Sequence, residues 1–285
     1  VAMELIWKDR SEQIDQQLER MRYVLRVQFG HKVNLARIYR YCRTIYYLWL
    51  MCCLMLLLMT TNNNLVMNNS RLLIYAFYSE VVLLLRISEF TLYAILILVF
   101  YLELTEASCK LLFELDKTRL EVWSLRRLSL ARLSVLQQLH GMLWNTVRTI
   151  ERNFELSLII VLLKYFVDIS VLPYWMTVSR NNQINKFTVY YCATEEFCKL
   201  LFTFLPSFIC SRCEMQQRKF HSILHGLTSD RDNPQLNTAL YRFSAQMGQE
   251  RFEFSACGLM VINNVTLGKF IFGMTSYIII CIQFR

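Results

Sequence analysis

Five apolar runs organise this chain. Residues 44–60, TIYYLWLMCCLMLLLMT, hold no charge, and residues 72–102 are apolar apart from Glu80, Arg86 and Glu89. Residues 156–178 carry only Lys164 and Asp168. Residues 187–210 are aromatic-rich and interrupted by Glu195, Glu196 and Lys199, and residues 257–284 contain one charge, Lys269. A helix needs about 20 apolar residues to cross a bilayer core, and each run meets or approaches that length. The pattern predicts an all-α, polytopic transmembrane protein with five spans.

The connecting segments alternate in basic content. Residues 1–43 hold nine Lys and Arg, residues 61–71 one, residues 105–155 eight, residues 179–186 two and residues 211–256 six. Basic connections stay on the cytosolic side, so the N-terminal side is expected in the cytosol and the C-terminus outside. The sequon Asn68-Asn69-Ser70 then falls in an outer loop, where Asn68 is a glycosylation acceptor. The sequon at Asn264 falls on the inner side or within the membrane and goes unused.

Within the cytosolic parts, Leu125, Leu128, Leu136, Leu139, Leu143, Val147 and Ile150 recur at helical spacing, with Arg126, Arg127, Arg132, Arg148 and Arg152 off that line. This predicts a helix that extends the second span below the membrane and packs on its cytosolic neighbours. A basic amphipathic helix lying on the inner leaflet has the same pattern. The run GLTSDRDNPQLN over 226–237 predicts a loop. The expected organisation is a cytosolic linker (1–43), ligand-pocket helices (44–210) with a cytosolic extension (105–155), a cytosolic helical anchor (211–256) and a final pore-lining helix (257–285).

Composition fits a membrane solvent. Of 285 residues, 55% are hydrophobic and 19% charged, with a mean hydropathy of +0.30; a soluble domain carries about a quarter charged residues. Three prolines and seven glycines exclude collagen-like and Pro-rich disordered chains. The ten cysteines lie in apolar runs or charged stretches, which points to reduced thiols rather than a disulfide framework. A net charge of +9 raises nucleic acid as a partner. The mixture of Arg37, Tyr39, Arg40, Tyr41 and Arg43 directly before a span reads instead as positive-inside and aromatic anchoring to membrane lipid, so no nucleic acid is expected.

No phosphate loop, dinucleotide fingerprint or HExxH motif is present, and nothing indicates an enzyme or a cofactor. Cys210-x-x-Cys213 and His221-x-x-x-His225 are zinc-ligand residue types. Only seven residues separate the pairs where a finger uses about a dozen, so they read as thiols at a helix end and two imidazoles on one face. Intramembrane charges are costly and usually face a cavity or a partner. Lys164 and Asp168, and Glu195 and Lys199, are four apart; Arg86 and Glu89 are three apart. A polar, aromatic cavity open to the outside accounts for them, and so does mutual neutralisation during folding. On depth and chemistry the expected ligand-pocket residues are Glu89, Asp168, Trp175, Tyr190 and Glu195.

The last run ends GMTSYIIICIQFR. Ser276, Ile280 and Gln283 are spaced i, i+4, i+7 and share one helix face, with Tyr277 and Phe284 beside it. A glutamine deep in an apolar helix needs a partner or water, and a water-filled pore supplies it. One such helix per chain requires several chains around an axis.

Ser276-Tyr277, five apolar residues and Gln283-Phe284 resemble the C-terminal Thr-Tyr-(apolar)5-Gln-Phe signature of insect gustatory receptors, with Ser276 keeping the hydroxyl of the usual Thr. Upstream, Phe254-x-x-Cys257-Gly258-Leu259-x-x-Ile262-Asn263 resembles the stretch preceding that signature. The resemblance implies a seven-helix chemoreceptor in which the five spans are helices three to seven, with two more ahead of residue 1. It further implies a ligand-gated, non-selective cation channel, a homo- or hetero-tetramer with other gustatory receptor subunits, opened by a small-molecule tastant in the plasma membrane of chemosensory neurons. The insect odorant receptors, of the same architecture, are the nearest alternative. A multi-pass transporter is the other, although no internal repeat is seen.

Epitope tags inserted beside Asn68 and within 211–256 test the orientation. The Asn68 tag is expected to label on intact cells, and the 211–256 tag only after permeabilisation; surface labelling of the latter would reverse the topology.

Overall fold

In lipid every backbone N–H and C=O needs an internal partner, and a helix supplies it along its own length. The structure, a computed structural model, describes residues 2–29, 35–61, 70–117, 123–179, 186–226 and 234–283. Among the described residues there are seven helices, α1 (Ala2–Phe29), α2 (Leu35–Thr61), α3 (Ser70–Lys117), α4 (Trp123–Ser179), α5 (Lys186–Gly226), α6 (Pro234–Gln249) and α7 (Asn264–Gln283). A hairpin of β1 (Ser255–Ala256) and β2 (Met260–Val261) precedes α7. The five apolar runs fall in α2, α3, α4, α5 and α7, one in each. Among the described residues the stretch Glu80–Leu111 of α3 is long and apolar enough to cross a membrane by length and composition, and Asn264–Ile280 is apolar but shorter.

Three expectations change, the first being the loop over 226–237, which is already helical from Pro234 onward. The helically spaced line from Leu125 to Ile150 belongs to α4 and is continuous with the third apolar run; it does not extend the second. Leu136, Leu139, Leu143, Val147 and Ile150 are buried, while Arg148 and Arg152 are exposed, so the apolar line of that stretch is packed inside the chain. The last helix starts at Asn264, not near residue 257, because the seven residues before it form a turn, a strand and a cap.

Several buried Ser and Thr hydroxyls in the long helices bond within their own turn. In α3, Ser88, Thr91, Thr105 and Ser108 donate to the carbonyls four residues back at 2.6–2.8 Å. Thr203 and Ser207 of α5 do the same at 2.8 and 3.0 Å, on either side of Pro206. Polar side chains of this kind enter an apolar helix without needing an outside partner.

The chain divides into two compact units, Val1–Ile38 with Ala94–Asn153 and Cys210–Phe254, and Tyr39–Tyr93 with Phe154–Ile209 and Ser255–Arg285. In the first unit, Ile14, Leu18, Met21 and Leu25 of α1 form a buried stripe at spacings of three and four. In α6, Pro234 occupies the first position, where its missing N–H costs nothing, and Leu236, Leu240, Phe243 and Met247 form a second buried stripe.

His140 is fully buried in this unit among the rings of Tyr101, Phe220, Phe243 and Phe252, with centroids 5.6–6.4 Å away. Its Nδ1 lies 2.9 Å from Oε2 of Glu250. Gln246 donates to both Glu250 oxygens at 2.9 Å and accepts from Gln137 at 2.7 Å. Gln217 donates to the Glu250 carbonyl at 2.6 Å and accepts from the Phe252 N–H at 2.9 Å. Burial pushes the Glu250 carboxyl up, but the hydrogen bonds with His140 and Gln246 outweigh it and hold the carboxyl below its ordinary range.

A carboxyl depressed in the folded state contributes stability that is present above its unfolded pKa and is lost as pH falls through the folded one. Glu250→Gln is therefore expected to melt below the parent chain near pH 7, with the gap closing as pH falls below about 4. Thermal unfolding of the purified protein in detergent across pH reads this directly.

Candidate functional site

In the second unit α3, α4 and α5 bring their charges to one place. Lys164 of α4 pairs with Glu80 of α3 and, at 2.8 Å, with Asp168 one turn along its own helix. Asp168 also accepts from Lys199 of α5 at 2.9 Å, and Glu196 lies 3.9 Å from Lys199. The Lys199 side chain is only 5% exposed, so its ammonium depends on these carboxylates. The pairing of Lys164 with Asp168 was legible from spacing. The contributions of Glu80 and Lys199 were not, because they come from helices 84 and 31 residues away.

Glu89 stands elsewhere. It accepts from Arg86 at 2.6 Å, and the Arg86 guanidinium lies 4.0 Å from the Phe154 ring centroid. At 1.5 Å per residue Glu89 is about 14 Å along α3 from Glu80, so Asp168 and Glu89 belong to different clusters. The side chains of Trp175, Tyr190 and Glu195 lie outside the described residues, as do Asn68 and Phe284.

The geometry of α7 begins at the hairpin. Cys257 and Gly258 both have positive φ, 52° and 68°, the pair a type I′ turn requires, and Leu259 N–H closes it on the Ala256 carbonyl at 3.0 Å. Glycine takes this conformation freely and Cys257 accepts it at some cost. Phe254 and Ile262, on either side, are 1% and 6% exposed. Asn263 caps α7, its Oδ1 accepting the Thr266 N–H at 2.9 Å.

Leu267 and Met274 are the buried face of α7, seven residues or nearly two turns apart. Ser276 and Gln283 each stand about two and a half turns beyond Leu267 and Met274, so they lie on the opposite face. Ile280 is near them at 49% exposure, and Tyr277 flanks the stripe at 46%. Lys269 and Phe272 continue the same face toward the start of the helix, both exposed; sequence spacing alone did not single them out, because it cannot tell which face is packed. A cavity of about 30 Å³, room for about one water, lies where Ile87, Leu158, Pro206, Ile262 and Leu267 meet.

Long helices, clustered intramembrane charges and a capped final helix with one face outward define a helical transmembrane chemosensory-receptor fold. The chain superposes on the insect olfactory receptor OR5 from Machilis hrabei with a TM-score of 0.64, covering 88% of this chain and 67% of that one at 13% identity. At that identity the shared property is the fold. In sequence, the family model described as 7tm Chemosensory receptor matches residues 4–285. The chain is also 43% identical over 288 residues to the Drosophila melanogaster protein named "Putative gustatory receptor 98a", spanning 100% of this chain and 71% of that relative. The chain belongs to the 7tm chemosensory receptor family, and its sequence places it with the gustatory relative rather than with odorant receptors.

Breaking the charge cluster on one side should be costly. Asp168→Ala removes the carboxylate between two lysines and is expected to destabilise by about 3–5 kcal/mol. The paired change Asp168→Leu with Lys199→Met should recover most of that loss. Melting temperatures in detergent for the single and paired variants check both.

Proposed function

We propose that the chain is a gustatory receptor subunit of a ligand-gated, non-selective cation channel. A small-molecule tastant opens it, and subunits assemble as a homo- or hetero-tetramer in the plasma membrane, with the N-terminal side cytosolic and the C-terminus outside. The observation that carries this reading is the two-faced α7. Leu267 and Met274 anchor the helix to its own chain, leaving Ser276, Ile280 and Gln283 directed away from that packing. Four such faces around an axis make successive rings of hydroxyl, aliphatic and amide groups, flanked by Tyr277 and Phe284.

An aliphatic ring closes a pore by dewetting, and an amide ring holds a cation weakly enough to release it. With no acidic ring in the stripe, discrimination among monovalent cations is poor. The tastant pocket is assigned to the second unit around Asp168, with Trp175, Tyr190 and Glu195 on the same helices. Glu89, paired with Arg86, is a separate candidate.

Ile280→Ala should raise leak current and Gln283→Glu should raise divalent entry or block, both measured in cells expressing the receptor. Single cysteines at 276, 280 and 283, with Cys281 replaced, are expected to react with water-soluble thiol reagents only when ligand opens the channel. Protection of all three positions in the open state would make α7 a packed scaffold and move the pore elsewhere.

A further inference from the structure

Two imidazoles of α5 converge on one hydroxyl of α6. His221 and His225 are four residues apart and share a helix face, and their ring centroids lie 4.3 Å apart, edge to face. Ser244 Oγ is 3.3 Å from Nε2 of His221 and 3.2 Å from Nε2 of His225. A hydroxyl has a single proton to donate, so it donates to at most one of these nitrogens, and the other contact needs a ring N–H. A divalent transition metal takes the same three atoms as lone-pair donors when neither Nε2 carries a proton.

The dimensions fit. An ion about 2.1 Å from each nitrogen and from the hydroxyl oxygen, at these 3.2 and 3.3 Å separations, sees N–metal–O angles of roughly 100°, near tetrahedral. Metal binding needs neutral imidazole. Solvent reaches both rings, since His221 lines a cleft of about 350 Å³ and His225 is exposed.

The thiols upstream are not part of this group. Cys210 and Cys213 are buried, and Cys213 Sγ donates to the Ala94 carbonyl at 3.6 Å. Among the described residues no set of three or more His, Cys, Asp or Glu gathers to hold a metal. The donor set is therefore two imidazoles, one hydroxyl and water, which suits Zn2+ or Cu2+ and not the oxygen-seeking Ca2+ or Mg2+. We propose that His221, His225 and Ser244 form a transition-metal site that ties α5 to α6. It stands independently of the channel reading.

The test uses the full chain purified in detergent, with thiols blocked by N-ethylmaleimide. Cu2+ titration followed by electron paramagnetic resonance should show one ion per chain coupled to two nitrogens, and to one nitrogen in His221→Gln or His225→Gln. The Zn2+ dissociation constant from calorimetry should rise at least tenfold in either variant and only a few-fold in Ser244→Ala. Circular dichroism confirms that the variants keep their helix content; if one does not, the nitrogen count of the unmodified chain decides. The site is overturned if that chain binds no stoichiometric ion, or shows no coupling to two nitrogens. It is equally overturned if the variant lacking both imidazoles binds as the parent does.

Discussion

A polar group removed from water is costly unless it finds a partner inside the chain, and this chain supplies such partners at three scales. The backbone finds them by running in long helices, up to the 57 residues of α4. Single hydroxyls find them by bonding a carbonyl one turn back, as Ser88, Thr91, Thr105 and Ser108 do along α3. Ionised groups pair within one turn, as Arg86 does with Glu89, and also across helices. Glu80, Lys164, Asp168 and Lys199 draw three helices together, and the buried His140 draws the chain after α6 onto α4 through Glu250.

Each cluster also restricts what its neighbours can do. Asp168 already accepts from two ammonium groups, so a ligand reaching it competes with internal partners rather than with water alone. The His140 group is the opposite case. Its aromatic shell and saturated amide network leave it a fastening for the first unit.

The stretch from Phe254 to Asn263 shows how a sequence signature can be a folding device. Phe254 and Ile262 are anchors, Gly258 supplies the second left-handed position of the turn, and Asn263 starts the helix. Together they set where α7 begins. The signature residues at the far end, Ser276 through Gln283, stand on the helix that this cap starts.

Much of this protein was legible along the chain. Run length and charge placement are local properties, so the apolar helices, the amphipathic line from Leu136 to Ile150 and the i, i+4 pair of Lys164 with Asp168 could be read directly. The signature residues of the last helix carried the family as well. Contacts between distant segments could not be read that way. Nothing in spacing joins Glu80 to Lys164, or His140 to Glu250 across 110 residues, because the side chains meet only after packing fixes each helix's rotation. The same rotation decided that Leu267 and Met274 are the buried face of α7, and that its first turn waits for Asn263. Periodicity gives a helix its faces; only the neighbours it packs against choose which one turns inward.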